Sequence, residues 1–309
     1  MARKIALTVE KPQRQQTPLD LLVDDYLASC RARNLAFKTV QDNYGYPLRS
    51  LFLPWAADQG ITEPSELTQR VLDRFTARIV SNPISEWTAH SYIRPVRQLL
   101  KYAERMGDVD KAAVAQLPRL NRRAPNLLTR EEIDSLEYAA DSERDKVIVR
   151  ILGDTGMRVG EVCKLTLNAT TRQERGPLLR VNGKGGDQRL VPIRPELARR
   201  IERYQRSRPK ATSDQLFLSR RCMRGEYQPI TSSAVRQMLR NVMHRAGVNK
   251  RVYPHLFRHS FATEALRRGM NPVVLAKILG HRSLQMIDRV YSHLNTDDAY
   301  DAVMRMLTT

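Results

Sequence analysis

The sequence has few cysteines and no long apolar run, and each shortage argues against a class of protein. Its 3 cysteines, Cys30, Cys163 and Cys222, show no CxxC spacing. They argue against a disulfide framework or a cysteine-based zinc site, and a reducing environment is expected. No stretch of about 18 apolar residues occurs, so no transmembrane helix is expected. The basic N-terminal stretch lacks the apolar segment of a signal peptide, and we expect a cytoplasmic protein.

Acidic residues are scarce relative to basic ones. The 309 residues include 52 Lys and Arg but only 33 Asp and Glu, a formal net charge of +19 at pH 7. Such an excess favours polyanionic partners, with nucleic acid first and anionic membrane second. A basic surface that serves only solubility is the alternative. The length is sufficient for two domains with separate cores.

The first third of the chain shows only the helical period. Thr17 is typical of an N-cap before a first helix, and a second helical stretch begins near Lys38. Pro47 and Pro54 are expected to bend or end that stretch, because proline lacks the N–H that a helix needs. No strand pattern occurs, so residues 17–106 are predicted to form a small all-helical domain.

Two groups of basic residues are candidates for contact with double-stranded DNA. One lies on a predicted helix over 86–104. The other lies over 107–128, where Pro118 and Pro125 interrupt the helical period, so that this segment is predicted to be a linker. Residues 1–16 are expected to form a flexible basic arm. The six candidates are Arg94, Arg97, Lys101, Arg119, Arg122 and Arg123. Phosphate contact and solvated surface charge both remain open as explanations.

A second domain is predicted over 129–309. Thr129 opens a capping box, and further helices follow. Residues 178–181 and 189–193 alternate like strands around a glycine-rich turn, which predicts an antiparallel hairpin that carries Lys184. The expected fold class is mainly α with a small antiparallel β-sheet, in two domains. Further helices are expected over 143–153, 195–206, 232–246, 255–268 and 272–279, with Arg158 at the start of another.

Several residues of the second domain can act together on one phosphodiester. They are Arg158, Lys184, His255, Arg258, His281 and Tyr291. Arginines stay charged and grip two non-bridging oxygens each, whereas histidines donate to the phosphate or move a proton. Tyr291 is the candidate nucleophile and Lys184 the candidate acid for the departing oxygen. None of these groups forms a natural cage for a divalent metal, so no metal or other cofactor is predicted.

The order and local context of these residues resemble the tyrosine recombinase (phage integrase, Xer-like) family. The matching segments are Thr155-Gly156-Met157-Arg158, His255-Leu256-Phe257-Arg258-His259-Ser260-Phe261-Ala262-Thr263, Leu279-Gly280-His281 and Tyr291-Ser292-His293. Each match is weak alone, but four in order are specific. One spacing departs from the family pattern. Family members commonly place the tyrosine nine residues after the histidine of the Leu-Gly-His segment, with a threonine three residues before the tyrosine. Here Tyr291 follows His281 by ten residues, and Asp288 stands at the threonine position. An extra residue turns a helical side chain by ~100°.

The resemblance implies a DNA clamp that cuts and rejoins specific sites through a 3′-phosphotyrosyl intermediate and a Holliday junction, in integration, excision or resolution. Glu161 and His259 would support the catalytic set. Four protomers would assemble on DNA, each docking its C-terminal helix on a neighbour, and accessory proteins would be further partners. The protein would come from a bacterium, phage or mobile element and associate with the nucleoid when it acts.

Two alternatives share parts of this interpretation. A type IB topoisomerase-like enzyme uses the same chemistry but religates the same strand. A catalytically silent DNA-binding protein of the same fold would form no covalent complex with DNA. Mixing two labelled sites tests the first alternative, and a suicide substrate tests the second.

Overall fold

The computed structural model describes residues 16–120, 126–183 and 187–280 of the chain. Contacts divide the chain into two compact units, Met1–Arg123 and Ala124–Thr309. Within the described ranges, no helix combines the length and the apolar character needed to cross a bilayer.

The described part of the first unit is entirely helical. Its elements are α1 (Pro18–Ala32), α2 (Phe37–Val40), a π-helical segment (Gln41–Phe52), α3 (Leu53–Asp58), a 3-10 turn (Pro64–Glu66), α4 (Gln69–Val80) and α5 (Glu86–Met106). The start of α1 confirms its prediction: Thr17 Oγ1 accepts a hydrogen bond from the Asp20 amide at 3.2 Å. The capped end fixes where the apolar face of α1 begins.

Of the two outcomes predicted for Pro47 and Pro54, a bend or an end of the second helix, the structure excludes the end. Pro47 lies inside the π-helical segment, and the chain continues without a break into α3, where Pro54 occupies the first turn. In π-type turns an amide donates to a carbonyl five residues earlier, as the Leu53 amide does to Leu48. Proline is not restricted to this wider turn, because Pro95 lies inside the α-helix α5.

One apolar core holds the first unit together. The long helix α5 packs against α1, α4 and the π-helical segment. Leu99 is fully buried on this helix, and the rings of Phe52, Trp55 and Phe75 pack together with centroids 5.1 to 6.3 Å apart. The helical period of the sequence therefore corresponds to a real buried face.

The second unit is mainly helical and has two small sheets. Its helices are α6 (Arg130–Tyr138), α7 (Glu143–Thr155), α8 (Val159–Cys163), α9 (Pro195–Ser207), α10 (Ser232–Ala246), α11 (Pro254–Arg267) and α12 (Pro272–Leu279). Its strands are β1 (Thr170–Gln173), β2 (Gly176–Asn182), β3 (Gln188–Pro192), β4 (Leu218–Met223) and β5 (Glu226–Pro229). The first three strands form one antiparallel sheet in the order β1-β2-β3, and β4 pairs with β5.

The hairpin predicted to carry Lys184 is confirmed as β2 and β3, with Asn182 opposite Gln188. The capping box is also confirmed, since Thr129 Oγ1 accepts from the Glu132 amide and Glu132 Oε2 from the Thr129 amide. The strands β1, β4 and β5 were not predicted. They are short and largely polar, so they lack the alternation that marks a half-buried strand.

Helix α7 lies at the centre of the second unit. It packs against α6, α9 and α11, and Val147, Ile148, Val149 and Ile151 are all fully buried. A helix enclosed on several sides has a fixed position. The packing of α7 therefore fixes the position of the segment that follows Thr155, and this segment carries Arg158.

Candidate active site

A glycine turn at the end of α7 begins the site. Gly156 has φ +59°, a left-handed conformation that favours glycine. A Cβ atom at this position would lie 2.7 Å from Phe261 Cδ1 and 3.0 Å from Leu279 Cδ2. Both the backbone angle and the close approach of these side chains therefore require glycine. The turn brings the end of α7 against α11 and α12.

Arg158 follows this turn as the N-cap of the short helix α8. Glu161, in the first turn of α8, accepts from the Arg158 main-chain amide at 2.9 Å and from Arg158 Nη1 at 3.1 Å. The same carboxylate thus caps the helix and orients the guanidinium. The Arg158 side chain keeps 36% of its surface exposed, so its guanidinium remains accessible to a ligand.

Arg258 comes from the middle of α11 and is buried. Its Nη1 donates to the carbonyl of Gly156 and its Nη2 to the carbonyl of Leu279, both at 2.9 Å. Burial, and then the nearby charge of Arg158, lower the pKa of Arg258 to about 9. The guanidinium is therefore still charged at neutral pH, although the protein pays for holding it away from water.

The carboxyl end of α12 collects both of these arginines. Arg158 donates from Nη1 to the Leu279 carbonyl at 3.4 Å and from Nη2 to the Gly280 carbonyl at 3.3 Å. The last carbonyls of a helix have no partner within the helix, and the helix dipole makes this end attractive to cations. Leu279 and Gly280 therefore contribute to the site through their main-chain carbonyls, which accept hydrogen bonds from the two arginines.

Arg189 belongs to the same cluster and was not predicted as a site residue. It reaches across from β3, and its Nη1 and Nη2 donate to the two carboxylate oxygens of Glu161 at 3.0 and 2.8 Å. Its Nε donates to the Ile278 carbonyl at 2.7 Å. One signal was available in the sequence: Arg189 shares a strand face with Val191, a core residue.

Glu161 is buried beneath these arginines. Burial opposes its ionisation, but the hydrogen bonds from Arg189 and from the Arg158 amide, with the charges of both arginines, outweigh that effect. The pKa of Glu161 is therefore below its ordinary value. The site accordingly contains one carboxylate shared between two guanidinium groups, beside a third cation at Arg258.

His255 lies in the first turn of α11, and its imidazole reaches solvent. Partial removal from water lowers the pKa of His255, and the charges of Arg258, Arg158 and Arg236 lower it further. The neutral imidazole is therefore favoured at neutral pH, a form that donates a hydrogen bond from one nitrogen and accepts a proton at the other. Arg236 of α10 is close enough to affect this group.

The structure thus brings Arg158, His255, Arg258 and Glu161 together. His259 lies partly buried on α11. Three predicted catalytic residues lie outside the described part of the chain: Lys184, His281 and Tyr291. At the neck of the Lys184 hairpin, the main-chain amide of residue 183 donates to the carbonyl of residue 187 at 2.6 Å.

The predicted DNA-contacting residues are more dispersed. Arg94 and Lys101 are exposed on α5, Arg97 is partly exposed there, and Arg119 is exposed after that helix. Arg122 and Arg123 lie outside the described residues. Among the residues that the structure describes, no group of three His, Cys, Asp or Glu side chains is placed to hold a metal ion.

The sequence also matches a known family over most of the second unit. The model of the phage integrase family matches residues 126–298. The chain belongs to the phage integrase family, the tyrosine recombinases. A tyrosine recombinase of Pseudothermotoga lettingae is 31% identical over 218 residues, which cover 70% of this chain and 73% of that protein.

Solved structures of the family share this fold. XerH site-specific recombinase bound to its difH substrate has a TM-score of 0.71 at 18% identity, with 94% of this chain and 97% of that chain covered. A lambda integrase tetramer bound to a Holliday junction has a TM-score of 0.69 at 17% identity, covering 88% and 76% respectively. The predictions of family, two-domain helical fold and enzyme class are confirmed, and the topoisomerase alternative is not favoured.

Proposed function

We propose that this chain is a site-specific DNA recombinase that cuts and rejoins strands through a 3′-phosphotyrosyl intermediate and a Holliday junction. One observation carries the proposal: Arg158 and Arg258 converge on a single carbonyl, that of Leu279. Two guanidinium groups held at one point form a site for one phosphate. Donors fixed before the reaction stabilise the charge of a transition state without having to reorganise.

The two arginines divide the work of holding the phosphate. Buried Arg258 supplies a cation whose position the carbonyls of Gly156 and Leu279 fix. Arg158 is more exposed and grips the non-bridging oxygens from the open side. Together they offset the negative charge that grows on a pentacoordinate phosphorus, and they align the scissile bond for attack.

Tyr291 supplies the nucleophile in this proposal. Its hydroxyl loses a proton, for which neutral His255 is a suitable acceptor, and the phenolate oxygen attacks phosphorus. The bond from phosphorus to the 5′ oxygen breaks, and Lys184 donates a proton to that oxygen. His281 donates a hydrogen bond to the phosphate. The 5′ hydroxyl oxygen of the partner duplex then attacks phosphorus and gives its proton to Lys184. The bond from phosphorus to the Tyr291 oxygen breaks, and the tyrosine regains its proton from His255.

The domains take separate parts in this proposal. Residues 17–106 form a DNA-binding domain behind the basic arm at 1–16, residues 107–128 link it to the catalytic domain, and residues 129–309 carry the chemistry. The basic residues of α5 and the linker contact the phosphate backbone and give sequence-independent affinity. Four protomers assemble on two DNA sites through the C-terminal helix, and the enzyme works in the cytoplasm on nucleoid or mobile-element DNA.

A suicide substrate tests the proposal. DNA trapped covalently on the protein in a host extract is sequenced, and a nicked duplex of that sequence is then offered to the purified protein. We expect a denaturant-resistant protein–DNA complex with the wild type and none with Tyr291→Phe. Tyr138→Phe, an exposed tyrosine on α6 of the same unit, serves as the matched control and should cleave normally.

Two other results would contradict the proposal. Absence of any covalent complex with the wild type would favour a silent DNA-binding protein. If two labelled sites are mixed and only relaxation occurs, without recombinant products, a topoisomerase-like activity would be favoured.

A further inference from the structure

Arg189 connects three elements that are separate in the sequence. Its guanidinium joins β3 to Glu161 of α8 through both terminal nitrogens and to the Ile278 carbonyl of α12 through Nε. Only 13% of its side chain is exposed, and that of Glu161 is 8% exposed. Two parallel hydrogen bonds between a guanidinium and a carboxylate are strong and directional, the more so away from water.

The charges of this cluster explain why a third arginine is useful. Glu161 must stay close to Arg158, because it accepts from the Arg158 amide and guanidinium. A carboxylate this close would neutralise Arg158 if it had no other cation. Arg189 occupies both oxygens of Glu161, so the positive charge of Arg158 is not cancelled and remains available to an anionic ligand.

The main-chain contact adds a geometric effect. A Cβ atom at Gly280 would lie 3.0 Å from Arg189 Nη1 and 3.1 Å from Arg189 Cζ. The Arg189 guanidinium is thus packed directly against the carboxyl end of α12, to which Arg158 also bonds. Arg189 fixes the distance between Glu161 and this helix end, and Arg158 lies between the two.

We propose that Arg189 is a positioning residue for strand cleavage, which acts by neutralising Glu161 so that Arg158 can serve the phosphate. The inference rests on the proposed function, because strand cleavage is the activity that it affects. The proposal predicts that Glu161 slows strand cleavage when Arg189 is absent, because its carboxylate then cancels the charge of Arg158. A role in stability alone makes no such prediction.

Single-turnover cleavage of the suicide substrate, at enzyme concentrations that saturate the DNA, tests this proposal. Arg189→Met should slow cleavage by roughly 10–100-fold, the usual effect of removing a partner that orients a site residue. DNA affinity should stay unchanged. The double variant Arg189→Met with Glu161→Gln should cleave faster than Arg189→Met alone, because glutamine still caps α8 but no longer cancels the charge of Arg158.

A matched control exists on the same sheet. Arg172 of β1 bonds to Glu202 of α9 with its Nη2 at 3.0 and 3.4 Å, and 70% of its side chain is exposed. Arg172→Met removes an arginine–glutamate pair between a strand and a helix, as Arg189→Met does. Cleavage by this variant should stay within about twofold of the wild type, as expected for an exposed pair.

Several results would overturn the proposal. They are a wild-type cleavage rate for Arg189→Met, a double variant no faster than Arg189→Met, or a loss of DNA affinity that accounts for the slower cleavage. If Arg189→Met does not fold, the uncharged variant Arg189→Gln replaces it: slower cleavage at unchanged affinity supports the proposal, and a wild-type rate overturns it. If wild-type protein forms no covalent complex, the proposed function fails, and this inference falls with it.

Discussion

Both units of this protein have an apolar core, but among the described residues only the second unit also buries charged side chains. In the first, the described core is apolar and aromatic, built around α5 and the rings of Phe52, Trp55 and Phe75. The charged side chains that are buried among the described residues lie in the second unit: Asp145, Glu161 and Arg258. Thr155, Ser260 and Thr263 are also buried there. Several of these are members of the proposed phosphate site or lie on the elements that form it.

Apolar burial and buried charges have different consequences: the first stabilises a domain, and the second holds charged groups in fixed positions. Burial of apolar surface stabilises a domain in proportion to the area removed from water. A buried ion pair contributes little net stability, because the removal of two charges from water offsets their attraction. The proposed site gives another reason for the buried charges of Glu161 and Arg258. Fixed cations serve a reaction in which negative charge develops.

The largest expected effect sharpens this contrast at Arg258. Arg258→Met should slow strand cleavage by roughly 10²–10³-fold, the usual effect of removing one fixed charge donor. The free energy of unfolding should change much less, because the lost hydrogen bonds are offset by relief of a buried charge. Single-turnover cleavage and urea unfolding measure the two effects. A large loss of stability with little change in the cleavage rate would show that Arg258 serves folding and not the reaction.

The pH dependence of the same variant has a definite sign. The folded-state pKa of Arg258, about 9, is below the ordinary arginine value, so the unfolded chain holds this proton more tightly. The penalty for the buried charge is complete below pH 9 and is relieved above it. The wild type should therefore gain stability relative to Arg258→Met as the pH rises above 9.

A core substitution in the first unit should do the opposite. Leu99 is fully buried on α5, and Leu99→Ala should lower the free energy of unfolding by about 2–5 kcal/mol. The cleavage rate of folded, DNA-bound protein should not change. Leu21→Ala on α1, where the side chain is 51% exposed, is the control, with a change within about 0.5 kcal/mol. Equal losses from both variants would mean that α5 does not form the core.

The smallest expected effect concerns His255. Arg236→Gln removes one of the cations that lower the pKa of His255, so that pKa should rise. The shift should be partial, because partial burial is the larger cause and remains. NMR titration of the imidazole measures it, and Arg240→Gln, one turn along α10, is the control. A fall in the pKa would show that Arg236 does not act on His255 by charge repulsion.

Much of the fold could be predicted from the sequence because local rules and tertiary structure agree. Thr17 and Thr129 accept the amide hydrogen bonds that their positions in the sequence predict. The apolar period of α5 matches its buried face. The glycine-rich turn between two alternating segments correctly indicated β2 and β3. In each case a few neighbouring residues determine the outcome.

The remainder depends on contacts between distant segments. Arg189 and Glu161 are far apart in the chain, and no local pattern pairs them. Strand β4 carries mostly exposed side chains, so its hydrophobic pattern is no stronger than that of a loop. Pro47 lies inside a helix although proline lacks the N–H of a regular turn, which proline statistics alone do not anticipate.

The carboxyl end of α12 has a consequence for how this enzyme can change over evolution. Arg158, Arg189 and Arg258 are anchored there by carbonyl oxygens of Ile278, Leu279 and Gly280. Every amino acid carries a carbonyl, so a substitution of Ile278 does not delete its anchor, whereas a Cβ atom at Gly280 would lie 3.0 Å from Arg189 Nη1 and displace it. Selection at 278 therefore acts on the path of the backbone more than on chemical identity, and an engineered recombinase can vary that side chain while the proposed phosphate clamp stays intact.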